Sequence, residues 1–186
     1  MNMRKISINE FKKRRFERSY ISLYIVIRPI SVENEQEIEV KNLCVIYGFT
    51  ALGVRRIIAI YFENTNDNRF WLGVFEDLKA RNLQNIMFLV TPQNKNIERC
   101  AKIIYNNIEI IRSPEDIMSA IDRYFATKTS RTLEILLKNL ILAEDIEKCE
   151  EYIELFKQQY LHNRLVLEVF KRQKDDIKKL YKYNYD

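Results

Sequence analysis

Glycine is scarce: the chain has three in 186 residues, Gly48, Gly53 and Gly73, and no two share a loop. That excludes a phosphate-cradling P-loop and a dinucleotide fingerprint, which need clustered glycines so that backbone can approach phosphate closely. Histidine is scarcer. His162 stands alone, which excludes a zinc finger or a His-based metal centre, and a Ser-His-Asp or Cys-His machine would have to run on that one imidazole. The three cysteines, Cys44, Cys100 and Cys149, are far apart and form no CxxC pair. They read as reduced thiols of a cytoplasmic protein. No apolar run reaches the length of a membrane span, so no membrane is expected as a partner. The run over residues 21–27 follows a basic segment and superficially mimics a signal peptide. It stops at Arg28-Pro29 with no small-residue cleavage site, and a strand explains it better.

What is present is an ordinary globular composition, 47% hydrophobic, 31% charged and 12% aromatic, enough to bury a core. The net charge of +5 is unevenly placed. Residues 1–30 carry eight Lys or Arg against two Glu, giving +6; residues 31–100 sum to −1, and residues 101–186 balance. The whole excess is therefore N-terminal. A cluster comprising Lys12, Lys13, Arg14, Arg15 and Arg18 is a candidate phosphate-backbone contact. A solvated helix face is its plain alternative.

Residues 7–18 read as a short helix, with Phe11, Arg15 and Arg18 at helical spacing. Residues 20–30, 40–50 and 54–63 are rich in β-branched and aromatic side chains and read as three strands of an antiparallel meander, with the acidic stretch 31–39 as a connecting turn. The period then changes. Asn68 is read as the cap of a helix with Phe70, Trp71, Val74, Phe75 and Leu78 on one face. Residues 85–91 are a short apolar run typical of a buried parallel strand. A helix over 95–106 with Ile97, Cys100, Ala101, Ile104 and Tyr105 inward follows, then a strand over 108–111. Ser113-Pro114-Glu115-Asp116 is a strong helix start, and the rest reads as helical, with breaks near 127–129, 143–144 and 161–163. The expected fold class is α/β, a five-stranded mixed sheet in the order β-β-β-α-β-α-β, the ribonuclease H-like topology, with a C-terminal helical extension. Residues 1–126 are expected to form the sheet domain with its basic N-terminal helix, and 127–186 the extension packed on it.

The stretch from Asn68 to Ile86, NRFWLGVFEDLKARNLQNI, resembles the "KFWLGVLNDLKNRGVQDI" segment of Mutator-type bacterial insertion-sequence transposases. Upstream, Tyr20 with Leu23-Tyr24-Ile25-Val26 is similar to that family's "YPFLYLD" strand, and Val40-Lys41-Asn42 to its "VRN". Downstream, residues 86–91 resemble the strand before its second catalytic Asp, and residues 137–156 its helical insertion. The resemblance implies DNA strand cleavage and joining by a carboxylate triad with divalent metal, in which two cations clamp the attacking and leaving oxygens. At the matching positions this chain has Val26 in place of the first Asp and Pro92 in place of the second, and the third acid is expected beyond its last residue. The helix-turn-helix region of longer relatives is likewise expected to be missing. Val and Pro cannot ligate a cation.

The resulting expectation is a transposase-derived protein that is not an enzyme. It would have no catalytic residues, metal or cofactor, and would persist as a DNA- or protein-binding module that modulates transposition. Its expected partners are DNA or a related transposase, with a homo-oligomer as a further expectation. The rival readings are an active nuclease or transposase with a relocated metal site, and an adaptor that never touches DNA. Other residues are read as structural first. These are His162 at a helix junction, Trp71 in the core, Lys95 after the second acid position, Arg55-Arg56 at a strand start, and the Glu-rich run over 144–154 on solvated helix faces.

Overall fold

The computed structural model describes residues 11, 14–16, 19–33, 38–62, 67–125 and 131–181. Its elements run β1 (Ser22–Glu33), β2 (Ile38–Phe49), β3 (Arg55–Phe62), α1 (Asn68–Ala80), β4 (Phe88–Thr91), α2 (Lys95–Ile104), β5 (Glu109–Arg112), α3 (Pro114–Phe125), α4 (Arg131–Ile141), α5 (Ile146–Gln159) and α6 (Arg164–Lys179). The strands form one five-stranded sheet in the order β3-β2-β1-β4-β5. β1 pairs antiparallel with β2, and β2 with β3, while β1 and β4 are parallel. This is the expected mixed sheet of ribonuclease H-like topology: a meander is extended by a crossover, so the first strand becomes the central one.

The chain divides into two compact units, Met1–Ile110 and Ile111–Asp186. In the first, alternation along the strands sends Leu23 and Ile25 of β1 and Cys44 and Ile46 of β2 into the core, and the consecutive Ile58 and Ala59 of β3 are both buried where the β2–β3 register shifts. Trp71, Val74, Phe75 and Leu78 of α1, with Ile97, Cys100 and Ala101 of α2, are buried in the same cluster. A chain of aromatic contacts runs through it from Tyr61 to Phe70, Trp71, Phe75 and Tyr105. The second unit has its own core: Ile117, Leu137, Leu140, Cys149, Ile153, Phe156, Val166, Phe170 and Ile177. Phe156 stacks on Phe170 with ring centroids 4.2 Å apart. Arg112, buried at the end of β5, pairs with Asp116 and Asp176 and donates to Gln173. No helix among the described residues is long and apolar enough to cross a membrane.

Several local expectations are revised. Asp67, not Asn68, caps α1, its carboxylate accepting from the Arg69 N–H at 2.9 Å; it is the residue that keeps extended backbone before the first turn. Of the expected turn over 31–39, residues 31–33 belong to β1 and 38–39 to β2, and residues 34–37 lie outside the described residues. Of the expected helix over 7–18 most lies outside the described residues; Phe11 is helical, but Arg14, Arg15 and Phe16 are irregular. The expected break near 127–129 also lies outside them.

Candidate functional site

The two candidate positions lie on β1 and just past the end of β4, strands that pair in parallel. Tyr24 is level with Val90 across the parallel pair. Val26 stands two residues further along β1, and Pro92 directly follows Thr91, the last residue of β4; both are half-buried. On its other side Val26 is opposite Val45 of β2. The side chains at this junction are hydrocarbon, and they do not fit a divalent cation, which requires oxygen ligands. Among the described residues, no three His, Cys, Asp or Glu side chains come together in a way that could hold a metal ion.

The motif that carries the sequence resemblance builds structure. Four of its side chains, Trp71, Val74, Phe75 and Leu78, are the buried face of α1. Its charged residues lock the turn that follows. The Arg81 guanidinium, only 6% exposed, donates to Asp77 at 3.2 Å and to the backbone oxygens of Ile58 at 3.1 Å, Phe11 at 3.2 Å and Arg14 at 3.0 Å. It also lies over the Phe16 ring at 4.6 Å, and the Phe16 N–H donates back to the Arg81 carbonyl at 3.0 Å. A planar fork with five donors suits this duty, and a lysine would not fill it. Asn82 takes the left-handed conformation, with φ of 79°, and its side chain donates to Phe16 O at 3.1 Å. The position corresponds to the Gly of the family stretch, and asparagine is the commonest substitute where the chain turns that way. Lys79 donates to Ile104 O at the end of α2 at 3.0 Å.

The basic segment is thereby routed past β3 and the end of α1. Arg14 lies between the Phe11 and Phe16 rings, at 5.3 and 5.7 Å, and reaches Ile57 O at 3.4 Å, so it is partly committed to the fold. Arg15 is exposed. Lys12, Lys13 and Arg18 lie outside the described residues. Sequence reasoning singled out Arg14 and Arg15 and missed Arg81. Its signal was an arginine four after Asp77, a spacing that puts the two on one helical face.

The other candidates are placed as follows. His162 and Lys95 are exposed, and so are Arg55 and Arg56 at the start of β3. Arg55 lies over the Tyr47 ring at 5.4 Å. The glutamates Glu147, Glu150, Glu151 and Glu154 line an open groove on α5, where Glu150 pairs with Lys178 and Glu154 with Lys157. The three cysteines are free and buried, and burial pushes the Cys44 thiol up to about 12, which removes it as a nucleophile near neutral pH.

A sequence profile described as "Transposase, Mutator family" matches residues 3–186. The transposase for insertion sequence element ISRM3 of Rhizobium meliloti is 23% identical over 161 residues, covering 83% of this chain and 38% of that protein. A probable transposase for an ISRM3-like element of Sinorhizobium fredii is 22% identical over the same shares. The chain thus spans 38% of the length of these curated relatives. Among solved structures, a simian T-cell lymphotropic virus intasome in complex with PP2A regulatory subunit B56 gamma is similar at a TM-score of 0.35 and 11% identity, over 71% of this chain and 52% of that one.

These matches correct the expectation that the chain is not an enzyme, for the profile it fits and the relatives it resembles are those of transposases. The physical reason the expectation failed is that it rested on two strand positions, and two hydrocarbon side chains do not decide where a protein's carboxylates are drawn from. The profile matches nearly every residue of both units: the chain belongs to the Mutator family of transposases.

Proposed function

We propose that this chain works on DNA in transposition and holds the duplex through its basic N-terminal segment. The observation that supports this reading is the anchoring of that segment. Arg81 fixes the backbone at Phe11 and Arg14, while Arg15 is left in solvent within the part of the sequence that carries the whole charge excess. Lys12, Lys13, Arg15 and Arg18 supply the phosphate contacts, and Arg14 contributes less because its guanidinium is engaged by the fold. Such contacts release counterions, so affinity falls steeply with salt.

The test is fluorescence anisotropy with a labelled duplex at several salt concentrations. Neutralising Lys12, Lys13 and Arg15 together lowers the slope of log K against log salt by about 3. Absence of binding at low ionic strength overturns the reading. Strand cleavage on this chain would draw its metal ligands from positions other than Val26 and Pro92. Plasmid nicking with Mg²⁺ or Mn²⁺, lost on substitution of a single Asp or Glu, identifies them.

A further inference from the structure

The β1–β2 hairpin is longer than the sheet it belongs to. Each strand has 12 residues. β3 pairs only with residues 43–49 of β2, and β4 only with residues 22–24 of β1. The outer part is a two-stranded ribbon, in which residues 38–41 of β2 have no third strand beside them among the described residues. A ribbon of two strands is marginal in water by itself. Its two edges differ. β1 carries Pro29 there, which offers no N–H and blunts an edge. β2 has no proline there; its charges, Glu39 and Lys41, are of opposite sign, and it presents Ile38 and Val40 at 70% and 68% exposure.

We propose that residues 39–41 of β2 pair, antiparallel and about a two-fold axis at Val40, with the same residues of a second copy of this chain. Charge selects this occupant. In that register Val40 stands opposite Val40 of the second copy, and Glu39 opposite its Lys41. The same contact repeats on the other side of the axis. Glu39 and Lys41 already meet at 3.1 Å along one strand, so association turns one ion pair into an alternating array of four charges. Ile38 and Val40, two apart and therefore on one face, leave water together. The contact is isologous and closes as a dimer, where a head-to-tail edge would propagate. It goes beyond the DNA reading and does not need it.

Sedimentation analysis of the full chain tests the pairing. The wild type is a dimer. E39K and K41E each put like charges opposite one another twice and weaken association about tenfold or more. The double variant E39K/K41E restores it, and an equimolar mixture of the two single variants forms a mixed dimer. Register is read by V40C. Residues directly opposite in such a pair have Cα atoms about 4.5–5.5 Å apart, within disulfide range, so V40C cross-links to itself on oxidation. I38C does not, because its counterpart lies about 13 Å away along the strand. A monomeric wild type, a dimer indifferent to both charge reversals, or equal cross-linking by I38C and V40C overturns the proposal. Unchanged circular dichroism and melting of each variant show that the monomer is intact.

Discussion

In its inner half the β1–β2 hairpin buries Leu23, Ile25 and Ile46 completely, flanked by β3 and β4, whereas in its outer half Ile38 and Val40 of the same ladder stand mostly in solvent. Backbone pairing is continuous from Ser22↔Phe49 to Glu33↔Ile38, so hydrogen bonding alone does not distinguish the halves. Burial does. An inner side chain is held by neighbours on α1, α2 and β3, and it loses solvation free energy and packing together when cut back. An outer one has little to lose within a single copy. The hairpin thus carries a structural half and a half whose side chains are available for something else.

The comparison breaks most severely in the core. Trp71→Ala, which removes the largest fully buried side chain, costs about 3–5 kcal/mol and lowers the urea midpoint without changing its slope. Arg81→Met leaves the carbonyls of Phe11, Arg14 and Ile58 short of a donor and is expected to cost about 2–3 kcal/mol, with Arg81→Lys recovering only part of it. Gly48 sharpens the contrast within β2. A Cβ there would lie 2.7 Å from both Ile58 and Tyr20, so Gly48→Ala costs about 1–3 kcal/mol in thermal unfolding. At Asn82, where φ is 79°, a valine costs about 1–2 kcal/mol while a glycine is tolerated, a difference that equilibrium denaturation resolves. The smallest effect is reserved for the outer half: Ile38→Thr shifts monomer stability by no more than about 0.5 kcal/mol, measured at protein concentrations low enough to keep copies apart.

Sequence patterning gave the inner elements well, since apolar periodicity reports burial and these elements are buried. The β-β-β-α-β-α-β order, the inward face of α1 and the Ser113 start of α3 all follow from it. The same dependence explains the failure over residues 31–39. Over SVENEQEIE the apolar residues thin to Val32 and Ile38 among polar ones, too few to show a period, so the stretch reads as a turn although residues 31–33 and 38–39 are paired strand. Val26 and Pro92 were singled out from the resemblance; Val26 lies on β1, and Pro92 directly follows β4, which pairs in parallel with β1. Arg81 was not: its pairing with Asp77 is legible as a four-residue spacing, but its other acceptors are backbone oxygens 23 to 70 residues away, and a carbonyl leaves no mark on a sequence.

That choice of partners has an evolutionary corollary. A guanidinium that grips main-chain oxygens is indifferent to which residues supply them, so the leader into β1 can exchange its side chains, basic for neutral or neutral for basic, and keep the same route across the molecule. The charge of that leader can then drift up or down without putting the folded domain at risk.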